Sequence, residues 1–275
     1  MAELTASLVE SRNFKPAACA PITFVTAANS REILQKNLLA SPCLQSEHAH
    51  QILVQEGFAS AAKAYNAAIE KSDNDLLVFL HQDVILPNGW LDDLRSAIAQ
   101  LDSFDPNWGV LGCAGQTHDN QLQGYIYSQG LGIIGEPFQR PAPVQTLDEI
   151  VLIFRKSSGL RFDDTLPGFH MYGTDICMAA AARGMRNYAI SAFCVHNTVF
   201  NLVLPKEFYD CYKYVRRTRQ RFLPIQTTCV RITRFGLPMY IRRLREFCLV
   251  NVCNKRVAIQ RESEPQKLLK ALRWG

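Results

Sequence analysis

No stretch of the chain approaches the roughly 18 consecutive apolar residues of a membrane-crossing helix, so no transmembrane span is expected. The start, Met1-Ala2-Glu3-Leu4, has neither the basic residues nor the long apolar core of a secretory signal. Nine cysteines are scattered without a Cys-x-x-Cys pair, which argues against a disulfide framework or structural zinc site. Reduced thiols in a cytoplasmic protein are the expectation. No Gly-Lys-Ser/Thr follows the glycines around 109–115, so they form no phosphate-cradling P-loop. Internal repeats and low-complexity tracts are also missing.

The composition is 48% hydrophobic and 20% charged, ordinary for a globular chain with a sizeable core. The net charge of +5 hides a break. Residues 1–204 carry 13 Lys and Arg against 20 Asp and Glu, a net of −7. Residues 205–275 carry 17 against 5, a net of +12. A shift this large marks a change of role near 205. Two units are therefore expected, a domain over 20–204 and a basic, partly helical extension over 205–275.

Leu76-Leu77-Val78-Phe79-Leu80 is an unbroken apolar run, read as a strand buried on both faces. It ends abruptly in His81-Gln82-Asp83. Ligands of open α/β sheets bind beyond the carboxyl ends of strands. Either a solvated loop begins here, or a carboxylate and an imidazole hold a divalent cation, and the cation a phosphate. Around this strand, Ile22 to Thr26 reads as a first strand and Arg31 to Ala40 as a helix behind Asn29-Ser30. Gln51 to Val54 is a second strand, and Ser60 caps a helix over Ala61–Lys71. Trp90, Leu91, Leu94, Ala97, Ile98 and Leu101 share one helical face. Trp108 to Gly115 and Ile150 to Arg155 read as further strands. Thr174 is expected to cap a helix reaching Gly184, and Asn187 to Val195 is a last strand ending at His196. Residues 116–147 form a long excursion. Alternating short strands and helices imply an α/β fold with a mostly parallel sheet.

Three pieces then occur in order: Ala64-Tyr65-Asn66-Ala67-Ala68-Ile69, Phe79-Leu80-His81-Gln82-Asp83-Val84, and Gly168-Phe169-His170-Met171-Tyr172-Gly173-Thr174-Asp175-Ile176-Cys177. Together they resemble the family-2-like glycosyltransferases of GT-A fold, most of all the branch named after a streptomycin-biosynthesis protein. The resemblance covers roughly residues 20–200. It implies a mostly parallel central sheet flanked by helices, to which this chain adds its basic C-terminal appendage. It further implies transfer of a sugar from a nucleotide-diphospho-sugar donor to an acceptor hydroxyl, in inverting fashion. Donor contacts fall on Thr26, Ala27, Asn29, Asn66, Gln82 and Asp83. The Asp-x-Asp position maps on His81-Gln82-Asp83, with His196 completing a metal site. Asp175 maps on the catalytic base.

The chemistry fits those roles. A divalent cation neutralises a leaving diphosphate, and Asp83 offers a hard oxygen. Nitrogen from His81 or His196 favours Mn2+ over Mg2+. Asp175 opens a helix, where the dipole favours its charged form. Asp148, Glu149 and Tyr172 are acceptor-side candidates. The acceptor is a glycan, a lipid-linked or a small molecule. The basic C-terminal part is a solvated appendage, a contact for an anionic membrane surface (making the protein peripheral at the inner face), or a binder of an acidic acceptor. Nucleic acid is not the expected partner. His81 at the first Asp position keeps a second class open, a catalytically inactive GT-A-like module that binds a nucleotide sugar or glycan. A nucleotidyltransferase would show a Gly-rich signature where Thr26-Ala27-Ala28-Asn29 stands.

Overall fold

The computed structural model describes residues 21–46, 50–253 and 258–272; the lead-in expected over 1–20 lies outside them. The β-branched segment Ile22–Ala27 forms β1, buried along nearly its whole length. Ser30 accepts from the Ile33 N–H and caps α1 (Arg31–Lys36), and Pro42 opens the short α2 (Pro42–Ser46). β2 (Gln51–Gln55) is followed by α3 (Ala61–Lys71), capped by the Ser60 side chain as expected. β3 (Leu76–Leu80) leads through His81-Gln82-Asp83 into β4 (Val84–Ile85). α4 (Trp90–Phe104) buries Trp90, Leu91, Leu94, Ala97 and Leu101 on one face.

The next strands are β5 (Leu111–Gly112), β6 (Ala114–Gln116), β7 (Leu122–Ser128), β8 (Gly132–Gly135), β9 (Ala142–Val144), β10 (Thr146–Leu147) and β11 (Val151–Arg155). They precede α5 (Tyr172–Ala182), β12 (Asn187–Ala189), β13 (Cys194–His196) and β14 (Phe200–Asn201). The last stretch holds α6 (Lys206–Thr218), α7 (Leu237–Asn251), β15 (Ala258–Ile259) and α8 (Gln266–Ala271).

The main sheet has the order β2-β1-β3-β11-β5-β12-β9. β2, β1, β3, β5 and β12 run in one direction, while β11 and β9 run against them. The α/β architecture and mostly parallel sheet expected from the sequence are therefore present. A second sheet, β10-β6-β7-β13-β4 with β8 on β7, covers the excursion. Two strands expected as single runs are divided between the sheets. Trp108–Gly115 splits into β5 and β6, and Asn187–Val195 splits into β12 and β13. The backbones come very close at the crossing, where a Cβ on Gly115 would stand 2.4 Å from the Thr146 carbonyl oxygen.

One hydrophobic core fills the space between sheet and helices. The stretch beyond 205 joins it, since Phe208, Cys211, Tyr212 and Val215 of α6 are buried there. Leu269 of α8 closes a smaller cluster with Ile85, Phe193 and Val195. Among the described residues, no helix is long and apolar enough to cross a membrane.

Candidate active site

β3 points its carboxyl end into a cleft of about 480 Å3, lined among others by Ala27, Asn29, His81, Gln82, Asp83 and Tyr172. Gln82 ties the floor together: its Oε1 accepts from the backbone N–H groups of Asn29 and Ser30, and its Nε2 donates to Asn29 Oδ1 at 2.6 Å. The loop after β1 is thus locked to the end of β3. Phe58 and Phe169 also line the cleft and are part-exposed, giving it aromatic walls.

Antiparallel pairing of β13 with β4 sets His196 opposite Val84, which brings it to the His81-Gln82-Asp83 turn. His81 Nδ1 lies 3.3 Å from His196 Nε2, and Asp83 Oδ1 lies 3.4 Å from His196 Nε2 and 4.0 Å from His81 Nδ1. Three ligand atoms each about 2.0–2.2 Å from one ion sit roughly 3–3.6 Å apart, so this cluster fits a divalent cation with modest tightening. The donor set supports the fit. Burial and then His196 push the His81 imidazole down to about 4, leaving it neutral near pH 7. Burial works against the Asp83 charge, but His196, His81 and Arg261 outweigh it and hold the carboxyl well below the usual range. His81 Nε2 lies 2.9 Å from Tyr172 Oη, and Tyr172 donates to the Glu149 carbonyl at 3.3 Å; were Nδ1 to hold a cation, Nε2 would carry the proton and donate to Tyr172. Such outer contacts fix ring orientation in metal sites.

The remaining expected residues are distributed differently. Thr26 is fully buried in β1 and does not line the cleft. Asn66 binds the Phe162 backbone and Asp164 Oδ1, fastening α3 to the 162–164 loop away from the cleft. Asp175 is 1% exposed, lies outside the cleft lining, and is gripped by Arg219 through Nε–Oδ1 at 2.6 Å and Nη2–Oδ2 at 2.8 Å. Burial raises its carboxyl even against the Arg219 guanidinium. Asp148 and Glu149 line a separate hollow of about 170 Å3 that shares His170 with the cleft.

The start of α5 departs from expectation. Thr174 is not its cap. The helix begins at Tyr172 behind Met171, whose φ of 65° is strained for a side-chain-bearing residue. Glu149 supplies the missing acceptor, its Oε1 facing the Gly173 N–H at 3.4 Å. Burial, then Asp148, raises the Glu149 carboxyl well above the ordinary range despite those backbone N–H groups.

Two site residues went unassigned in the sequence reading. Arg219 follows α6, and Arg261 donates to Asp83 Oδ2 at 2.7 Å and to the Asn197 carbonyl at 3.0 Å. Their only signal was the basic surplus beyond 205.

Comparison with known proteins bears on this site. A curated relative, "ATP synthase subunits region ORF 6" of Fuscovulum blasticum, is 35% identical over 126 residues, covering 44% of this chain and 50% of that protein. The chain thus spans about half the length of that relative. Among solved structures, Staphylococcus aureus TarS 1-349 aligns with a TM-score of 0.46 at 14% identity, over 92% of this chain and 79% of its own. The mannosyltransferase PcManGT from Pyrobaculum calidifontis, in complex with GDP-Man and Mn2+, aligns at 0.40 and 15%, over 71% and 60%. These likenesses are too weak to bear on donor or metal. The family model described as "Glycosyltransferase like family" matches residues 23–217, from β1 through nearly all of α6 and past the charge break. The chain belongs to that glycosyltransferase-like family.

Proposed function

We propose that the protein moves a sugar from a nucleotide-diphospho-sugar to an acceptor hydroxyl, with inversion and with a divalent cation, Mn2+ or Mg2+. The observation that carries this reading is the convergence of His81, Asp83 and His196 at the carboxyl end of β3, where His81 and Asp83 line the cleft and the buried His196 backs them. A cation held by these three supplies Lewis-acid neutralisation of the leaving diphosphate. Ala27, Asn29 and Gln82 line the side of the cleft where a nucleoside would lie, and Phe58 and Phe169 offer it flat apolar walls. Arg261 adds a cation beside Asp83, suited to a diphosphate oxygen.

The acceptor proton needs a base. Asp175 is the one its motif implies. A second reading favours Glu149, because Glu149 lines a hollow next to the cleft whereas both Asp175 oxygens are occupied by Arg219. Burial raises both carboxyls, so it is the free access of Glu149, not its titration, that favours it. The acceptor is a glycan, lipid-linked or small molecule, and the C-terminal part brings the protein to an anionic membrane surface.

Calorimetry with UDP and GDP in the presence of MnCl2 tests the core of this reading. Asp83→Ala is expected to abolish metal-dependent nucleotide binding in a protein that still folds. Equal affinity in parent and variant overturns it. Metal-dependent binding without turnover on any sugar donor leaves the inactive binding module in its place.

A further inference from the structure

α7 keeps Met239 and Glu246 buried and turns a different face to solvent. At about 100° per residue, Leu237, Tyr240, Ile241, Leu244 and Phe247 occupy an arc of roughly 120° opposite those two anchors. Tyr240 is 61% and Phe247 62% exposed, and Phe235, just before the helix, is 87% exposed. An exposed helix face is ordinarily polar, and contiguous apolar surface marks an interaction site.

The surroundings of this stripe are cationic. Arg243 and Arg245 stand on its two shoulders, both exposed. Beside it opens a hollow of about 1240 Å3 lined by Lys213, Arg216, Arg217, Arg221 and Arg234, with Asp210 as the acidic residue of its wall. Phe235 also lines that hollow, so the apolar stripe and the basic hollow meet at Arg234-Phe235. A second copy of the chain is a poor occupant, because a two-fold contact sets each patch against itself and would bring arginine toward arginine. An apolar face bordered by arginine is the pattern of a helix lying in a bilayer surface, with basic groups at the phosphates and aromatic and aliphatic groups below them.

We propose that α7 lies in the surface of an anionic phospholipid bilayer, with Phe235 and the Leu237–Phe247 face below the phosphates, and that the neighbouring basic hollow seats phosphate headgroups of that surface. This rests on the membrane reading of the C-terminal part and names the element and the headgroup chemistry that carry it.

The test is cosedimentation of the full chain with vesicles of phosphatidylcholine alone, or with about one-third phosphatidylglycerol. The parent binds only the phosphatidylglycerol vesicles and is released as salt rises. Leu244→Ser with Phe247→Ser lowers the partition by at least about tenfold, and so does Arg217→Gln with Arg221→Gln. Both pairs keep parental circular dichroism and parental Mn2+-dependent UDP binding in the absence of vesicles. Parental partition in both pairs overturns the assignment to α7 and the hollow while leaving the membrane reading intact. A parent that ignores anionic vesicles overturns both, without touching the glycosyltransferase reading. A parent dimer that the Leu244/Phe247 pair dissociates, with no vesicle binding, gives the stripe to a second copy and overturns the proposal.

Discussion

Glu149 and Asp175 carry the same functional group in two settings, and their substitution separates chemistry from architecture. Asp175→Asn leaves the Arg219 guanidinium, only 20% exposed at its side chain, facing a neutral amide. Charged hydrogen bonds of this kind contribute about 1.5–3 kcal/mol, so a fall of several degrees in Tm is expected, with turnover reduced little beyond it. Glu149→Gln is expected to lower turnover about 10²–10⁴-fold with donor affinity near parental, the ordinary loss of a general base. The opposite pattern returns the base to Asp175. Glu149 also has a pH signature. Its folded carboxyl titrates well above the ordinary 4.5 because of burial and Asp148, so the folded state holds its proton more tightly than the unfolded one. That contribution is fully present below about pH 4.5 and is lost as pH rises through the elevated value. Melting curves should show Glu149→Gln gaining on the parent as pH rises from 4.5 to 8; a constant gap places Glu149 in an ordinary solvated setting. The positions of His81-Gln82-Asp83 and His196 were legible because an apolar run stops at each, while their grouping came only from the family resemblance. Arg261 was not, because it meets Asp83 across 178 residues and nothing local marks the pairing.

At the scale of elements, α3 and α4 were readable because Ser60 and the apolar spacing of 90–101 are local signals. The start of α5 was not. Its cap is replaced by a side chain from before β11, and room for that side chain depends on Gly173. A Cβ at Gly173 would lie 2.9 Å from Glu149 Cγ and 3.0 Å from the Leu147 carbonyl oxygen. Helix propensity alone makes Gly173→Ala stabilising by about 1 kcal/mol. Overpacking makes it destabilising by about 1–3 kcal/mol, and this is the expected sign, because a backbone carbonyl cannot swing away. Chemical denaturation measures the difference; a rise in stability shows that Glu149 and Leu147 yield without cost. The two divided strands were missed for a related reason. An apolar run such as Trp108–Gly115 reports burial but not which sheet buries it, and the change of sheet at Cys113 depends on contacts with β7 and β10.

Over the whole molecule, the charge break near 205 marks a real change in surface but not the end of the site. The last described stretch crosses back over the sheet: β15 pairs with β14, Glu262 and Asn197 exchange hydrogen bonds, Gln266 donates to the Ala40 carbonyl, and Leu269 is buried in the smaller core cluster. These contacts hold Arg261 against Asp83, so a carboxylate that lines the cleft at the end of β3 depends on a residue far outside the family-matched segment. Arg261→Gln removes a charged partner from a carboxylate whose side chain is 6% exposed. About 1.5–3 kcal/mol of stability is expected to go with it, less whatever water restores at the part-exposed guanidinium end. In a chain of this size that is a Tm lower by several degrees. A divalent cation bound by His81, Asp83 and His196 would meet the same negative charge from the other carboxylate oxygen. Saturating MnCl2 without nucleotide should therefore raise the Tm of both proteins and shrink the gap between them, since a cation on Asp83 offsets the charge that Arg261 otherwise neutralises and so binds the variant more tightly. A gap that stays at its metal-free size would show that Arg261 and the cation do not share Asp83, and would reduce Arg261 to a fastening for the Asn197 turn.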